Sequence, residues 1–235
     1  MADLQSMIDR ASRIVFFGGA GVSTESGIPD FRSRDGLYHM KYRFPPEEIL
    51  SHDFFFRDTE EFYRFYRDKL IGYQAEPNAA HRKLAELEAA GKLTAVITQN
   101  IDGLHQAAGS KRVWELHGSV LRNTCLRCGK KHGLEEIRAS EGVPRCVCGG
   151  IIKPEVVLYG ESLDDEVVSG AIHALRNADL LIVAGTSLVV YPAAGLIRYY
   201  RGEEIAVINL DPIPVPGDAV FFRGRVGEIL GKIKV

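Results

Sequence analysis

The sequence predicts an α/β protein built on a parallel sheet, and three features carry that prediction. Two uninterrupted apolar runs, Ile14-Val15-Phe16-Phe17 and Leu180-Leu181-Ile182-Val183-Ala184, read as strands buried on both faces, as parallel strands are. Both runs end in glycine and then hydroxyls, Gly18-Gly19-Ala20-Gly21-Val22-Ser23-Thr24 and Gly185-Thr186-Ser187, where open α/β sheets receive ligands. Segments of helical periodicity alternate with the strands and supply the crossovers a parallel sheet needs.

At 235 residues the chain is long enough for one large domain, or one domain with a small insertion. Hydrophobic residues at 46% and charged residues at 26% are globular values, and a net charge of -2 removes any global attraction to nucleic acid, which is therefore not expected as a partner. No apolar run approaches the roughly 18 residues of a membrane span. Met1-Ala2-Asp3-Leu4 lacks the basic and apolar regions of a signal peptide, so a cytoplasmic protein with reduced thiols is expected.

Leu4, Met7, Ile8 and Ala11 recur at helical spacing and predict an amphipathic helix before the first strand. The glycine turn that follows lets the backbone approach an anion, with the amides of a succeeding helix aimed at it; a bare strand-to-helix turn is the alternative. Gly19 and Gly21 supply two glycines of G-x-G-x-x-G, but Thr24 stands in the third place, so the usual dinucleotide fingerprint is incomplete. The polar stretch from Ser26 to Gly36, broken by Gly27 and Pro29, predicts a long loop. Pro45-Pro46 opens one helix, and Asp58 caps another that carries Phe62, Phe65 and Tyr66, so this region reads as a helical module with an aromatic core stripe. Asn78 caps a helix through Leu84 and Leu87 that stops at Gly91, and Leu93 to Thr98 is the next strand. That strand runs into Gln99-Asn100-Ile101-Asp102-Gly103-Leu104-His105, a cluster of amides and a carboxylate at a ligand-receiving edge. Val113 to Leu116 is a short strand that delivers His117-Gly118, and from position alone His117 is either a cleft group or a satisfied structural histidine.

The four cysteines come in two close pairs, Cys125-Leu126-Arg127-Cys128 and Cys146-Val147-Cys148, each followed by glycine. In a reduced compartment this pattern suits two knuckles on one tetrahedral zinc, with buried thiols or a redox pair as the alternatives. Four protein ligands leave no open position, so such a metal would hold the fold and do no chemistry. The second pair has one intervening residue, which would tighten its knuckle. Beyond it, Leu163, Val167, Val168, Ala171, Ile172 and Leu175 trace a helix face before the second buried strand, and Pro192 opens a further helix. Ile205 to Ile208 is a strand ending at Asn209-Leu210-Asp211, and Arg223 to Val235 predicts a closing helix that carries Val226, Ile229 and Leu230.

Taken together, Gly19-Ala20-Gly21-Val22-Ser23, Gly27-Ile28-Pro29-Asp30-Phe31-Arg32, Thr98 to His105, Leu116-His117-Gly118, the cysteine pairs and Gly185-Thr186-Ser187-Leu188 resemble, in order and over nearly the whole chain, a sirtuin, an NAD-dependent protein-lysine deacylase. The resemblance implies a Rossmann-like parallel-sheet domain formed by residues 1–36, 76–120 and 155–235, with an inserted small domain made of a helical module, 37–75, and a zinc ribbon, 121–154. NAD would be consumed as a co-substrate, and one structural zinc would sit on Cys125, Cys128, Cys146 and Cys148.

By the same resemblance His117 is the general base, acting on a ribose hydroxyl of NAD. Phe31 and Ile101 form apolar walls, Asp102 holds the nicotinamide carboxamide, and Asn100 orients groups near the reacting ribose. Ala20, Thr24, Asp30, Arg32, Gln99, Gly185, Thr186, Ser187, Asn209, Leu210 and Val226 complete the cofactor site. An acetylated-lysine peptide or protein adds as a strand between Val157-Leu158-Tyr159-Gly160-Glu161 and a segment that includes Val189, so backbone bonds hold many sequences with little discrimination. Family members that prefer acidic acyl chains carry Tyr and Arg three apart, where this chain has Tyr38-His39-Met40-Lys41, so acetyl-lysine is the expected substrate. A monomer is expected. A longer-chain lysine deacylase or a mono-ADP-ribosyltransferase would use the same fold, a dehydrogenase would produce NADH without releasing nicotinamide, and a zinc-ribbon binding module would do no catalysis.

Overall fold

The computed structural model describes residues 3–30 and 43–235. Its strands are β1 (Ile14–Gly18), β2 (Leu93–Thr98), β3 (Val113–Glu115), β4 (Gly118–Cys125), β5 (Lys131–His132), β6 (Ile152–Val156), β7 (Leu180–Ala184), β8 (Glu204–Asn209) and β9 (Ala219–Arg223). They form two sheets, a six-stranded one in the order β3-β2-β1-β7-β8-β9 and a three-stranded one in the order β5-β4-β6. Every pairing in the large sheet is parallel, as the apolar runs predicted, and both in the small sheet are antiparallel.

The chain lays β2 and β3 on one side of β1, leaves to build the small sheet, and returns to lay β7, β8 and β9 on the other side. The strand order therefore reverses between β1 and β7, the position at which an open sheet has a crevice beyond its carboxyl ends. Register makes the rim level. Gly18 pairs with Thr98 and with Ala184, Ala184 with Ile208, and Thr98 with Glu115, so the residues that follow each strand emerge on one edge.

Alternation along β1 splits the main core into two layers. Ile14 and Phe16 face a layer with Met7 and Ile8 of α1 (Leu4–Arg10), Leu84 and Leu87 of α5 (Ala79–Ala89), and Leu230 of α9 (Val226–Leu230). Val15 and Phe17 face a layer with Ala171 and Leu175 of α8 (Asp165–Asn177) and with Leu196 and Ile197. All four β1 side chains have 0% exposure, as do those of its neighbour β7, so these two strands form the centre of the sheet.

A third core lies outside the large sheet. The helices α2 (Pro46–Ile49), α3 (His52–Arg57) and α4 (Thr59–Lys69) put Phe54, Phe55, Phe62, Tyr63, Phe65 and Tyr66 into one cluster with Cys125, Cys146 and Ile152 of the cysteine-bearing sheet. The Phe55 and Phe62 rings meet edge to face at 4.9 Å, and the Tyr63 hydroxyl donates to the Ile152 carbonyl. The aromatic stripe is core, as its spacing predicted, and the cysteine-bearing segment is what it packs on.

The remaining short helices are α6 (Leu104–Ala107) and α7 (Leu134–Ala139). Four local expectations are corrected. No α-helix follows the glycine turn; residues Ala20–Val22 and Thr24–Ser26 form two single 3₁₀ turns, so a long helix dipole does not bear on the rim there. The segment after Pro192 is also 3₁₀, Ala193–Tyr199. The closing helix is confined to Val226–Leu230, and β9 precedes it. β9 escaped the pattern because it is an edge strand with neither face fully covered: Phe221 is exposed and its neighbours are half-buried, so no clean alternation marks it.

Candidate active site and metal centre

A cavity of ≈ 610 Å³ opens at the switch point, between the carboxyl edge of the large sheet and the small unit. Two interlocked turns form its floor. The Gly19 amide donates to the Ala184 carbonyl at 3.2 Å and the Gly21 amide to the Gly185 carbonyl at 2.8 Å. A Cβ added at Gly21 would stand 2.8 Å from the Gly185 Cα, and one at Gly185, whose φ is +57°, would stand 2.5 Å from the Val22 nitrogen. The space beside these glycines is thus filled by the opposite turn. Their small size serves the joint between two strand ends, a requirement the sequence assigned to an anion.

On this floor the polar groups hold one another. The Ser23 hydroxyl donates to Asp102 Oδ2 at 2.7 Å and accepts from Asn100 Nδ2 at 3.0 Å, while the Leu104 amide donates to Asp102 Oδ1 at 2.9 Å. Gln99 Nε2 donates to Thr186 Oγ1 at 3.0 Å, and Asn209 Nδ2 donates to the Thr186 carbonyl at 3.2 Å. These bonds link the ends of β1, β2, β7 and β8 through side chains. Neither Ser23 nor Asn78 was assigned a role beyond the motif and the helix cap. Asn78 caps α5 through Oδ1, and its Nδ2 donates to the Val22 carbonyl at 2.8 Å and to Ser26 Oγ at 3.0 Å, which pins the first turn from below.

His117 lies between β3 and β4 and lines the cavity. Its Nδ1 is 2.9 Å from the Gln99 carbonyl oxygen. A carbonyl only accepts, so Nδ1 carries the proton and Nε2 keeps its lone pair. Burial holds the imidazole below its ordinary pKa, against the opposing effect of the Gln99 hydrogen bond. The ring is neutral at pH 7 with one basic nitrogen. Gly118, at φ +75°, lets the chain turn here; a Cβ would fall 1.9 Å from the Glu155 carbonyl oxygen.

Of the predicted cofactor residues, Ala20, Thr24, Asp30, Gln99, Asn100, Ile101, Asp102, Gly185, Thr186, Ser187, Asn209, Leu210 and Val226 all line this cavity. Phe31 and Arg32, and Tyr38 to Lys41, on which the acyl expectation rests, lie outside the described residues. Val157, Leu158, Tyr159, Gly160 and Glu161 line the cavity too, and the Val157 amide donates to the His117 carbonyl at 2.9 Å. Val189 does not reach the wall. It is 53% exposed, and its neighbours Val190 and Tyr191 line the cavity in its place. Leu188, at φ +54°, redirects the backbone here, an irregularity that no sequence pattern announces.

The four cysteines form a separate centre on the small sheet. Their sulfurs lie within 4.8 Å of one another, with 3.5 Å between Cys125 and Cys148 and 3.7 Å between Cys128 and Cys146. A tetrahedron with Zn–S bonds of ~2.3 Å has edges of ~3.8 Å, so the arrangement fits one zinc with no open position. The Cys148 amide, bonded to the Cys146 sulfur, draws that thiol down to about 6, into the thiolate form a metal takes. The one-residue spacer of the second pair is compatible with closure.

The family model for the Sir2 family matches residues 19–192. The chain belongs to the Sir2 family. Among curated Sir2 relatives, it is similar to an NAD-dependent protein deacetylase of Clostridium perfringens, 56% identical with 98% of this chain and 96% of that one covered, and to one of Clostridium acetobutylicum, 54% identical with 97% and 95% covered. A solved Sir2 bound to a deacetylated p53 peptide and 3'-O-acetyl ADP-ribose is 41% identical, with a TM-score of 0.86 and coverage of 96% of this chain and 94% of that one. Among the described residues no helix is long and apolar enough to cross a membrane.

Proposed function

We propose that this protein is an NAD-dependent protein-lysine deacetylase, giving free lysine, nicotinamide and O-acetyl-ADP-ribose. The observation that carries the reading is the neutral His117, proton-bearing on Nδ1 and basic on Nε2, lining one cavity with the fixed Asn100–Ser23–Asp102 group and the 157–161 segment. When bound, NAD supplies an activated ribose carbon, which lets a weak acyl oxygen attack where a lone histidine cannot hydrolyse an amide. The residues present fit it. Asp102, with one oxygen on Ser23 and one on the Leu104 amide, is a rigid acceptor for a carboxamide N–H at one end. Thr186 and Asn209 offer polar groups toward the riboses and phosphates at the other.

His117 takes a proton on Nε2 from a ribose hydroxyl, and the Gln99 carbonyl steadies the imidazolium that results. The apolar lining, with Ile28, Ile101, Leu158 and Leu163, keeps water from the reacting centre. Acetylated-lysine peptides bind along Val157 to Glu161. Acetyl is the preferred acyl group, and the zinc on the four cysteines holds the wall from which Gly118 and Val156 emerge. We assign residues 37–75 and 121–154 to the inserted unit, with support from the core they share.

Incubation with NAD and an acetyl-lysine peptide, followed by mass spectrometry, tests this reading. Nicotinamide and deacetylated peptide should appear together and depend on one another, and His117→Ala should remove the deacetylated product. NADH absorbance would point to a dehydrogenase instead, and label from NAD retained on protein to an ADP-ribosyltransferase.

A further inference from the structure

The tail helix α9 begins without a cap of its own. Arg225 occupies the N-cap position and makes no side-chain capping bond, having no acceptor to offer. The missing acceptor comes from 202 residues away: the Gly227 amide donates to Glu25 Oε2 at 2.6 Å. Glu25 belongs to the second 3₁₀ turn after the glycines, directly behind Ser23 and Thr24, which line the cavity. Gly224, Arg225 and Val226, directly before Gly227, line the same cavity at its far end, beside β8 and β9. The Glu25 carboxylate therefore bolts one wall to the other.

Gly227 is shaped to this contact. A Cβ there would stand 2.8 Å from Glu25 Oε1 and 2.9 Å from Oε2, so the carboxylate lies directly against this position and a side chain there would displace it. The two ends of the cavity also differ in chemistry: Asn100, Asp102 and His117 sit over β2 and β3, and Asn209 and Val226 over β8 and β9. On the deacetylase reading, from which this inference follows, the first end takes nicotinamide and the second takes adenosine.

We infer that Glu25 is a positioning residue for the adenosine half of NAD, holding the Gly224–Val226 wall at a fixed distance from the glycine turn without touching the cofactor itself. The bond is charge-assisted and half-buried, so its loss should be felt at about the tenfold level in binding.

The test uses the intact protein and four variants, with ADP-ribose as the probe for the adenosine end and nicotinamide inhibition as the probe for the other. Glu25→Ala should weaken ADP-ribose binding, read by calorimetry, and raise the KM for NAD by about tenfold, while the KM for acetyl-lysine peptide and inhibition by nicotinamide stay within about twofold. Glu25→Gln keeps an acceptor oxygen and should recover most of the loss. Gly227→Ala displaces the carboxylate and should reproduce the defect, and the double variant Glu25→Ala, Gly227→Ala should be no worse than either alone, because both remove one contact. The inference is overturned if Glu25→Ala binds ADP-ribose as the unaltered protein does, if peptide and ADP-ribose affinities fall together, or if the two losses add. Absence of nicotinamide release by the unaltered protein with NAD and acetyl-lysine peptide would instead sink the deacetylase reading, and calorimetry with ADP-ribose separates the two failures.

Discussion

His117 illustrates how one hydrogen bond decides a residue's chemistry. Its Nδ1 proton is spent on the Gln99 carbonyl, and burial disfavours the imidazolium, so the basic form persists to a lower pH than for a free histidine. A group with a depressed pKa loses its neutral form only below its ordinary value, so kcat/KM should be flat near pH 7 and fall on acidification with an apparent pKa below 6.5. A pH–rate profile with its acid limb above 6.5 would contradict this assignment. Ser23 is the second decisive side chain, because it serves Asp102 and Asn100 at once. Ser23→Ala should cost about 1–3 kcal/mol of stability and slow nicotinamide release by tenfold or more, since the buried Asn100 and the half-buried Asp102 both lose a partner. Thermal melts and stopped assays of nicotinamide read the two effects separately. The sequence made His117 visible through its place before a glycine, but not its tautomer, which depends on a carbonyl 18 residues away.

At the scale of elements, the interlocked glycine turns and the cysteine-bearing sheet carry the site. Gly21→Ala pushes a methyl into the Gly185 backbone, which no rotamer can relieve, so it should lower stability by about 3 kcal/mol and weaken NAD binding with it. Denaturant titration checks the first and calorimetry the second. The zinc centre acts through β4 and β6, which run from the cysteines to Gly118 and to Val156 beside the site. Chelation at neutral pH should release one zinc per chain, lower the Tm, and abolish deacetylation as the third core loosens. A chain that lost its zinc with an unchanged melt and unchanged activity would show that the ribbon is ornamental. Strands with buried runs and helices with caps were legible, because burial and capping leave local patterns. The 3₁₀ turns, the edge strand β9 and the φ of Leu188 were not, because none of them leaves an apolar alternation or a capping pattern in the sequence.

Across the whole molecule, buried histidines contribute to the response to acid. His105 is fully enclosed between the Phe16 and His81 rings, and burial pushes its pKa down to about 3; burial lowers His81 as well, and Asp102 nearby only partly opposes this. In the unfolded chain both titrate near 6.5. Below that pH the unfolded state binds protons that the folded state refuses, so stability should decline as pH falls from 6.5, by up to ~1.4 kcal/mol per pH unit per histidine. Urea unfolding at pH 7 and at pH 5 measures the difference, and His105→Leu should flatten the slope. A slope unchanged by that variant would place the acid response elsewhere.

By itself the sequence determined the parallel sheet, the aromatic core stripe, the four metal ligands and the ring of polar groups at strand ends, because these are written in periodicity, spacing and residue type over a few positions each. Only the tertiary structure decided that the glycines serve one another, that Ser23 joins Asn100 to Asp102, that His117 holds its proton on Nδ1, and that Glu25 caps a helix at the opposite end of the chain. Hydrogen bonds and close backbone approaches form between groups that folding brings together, and a linear pattern carries no measure of that distance.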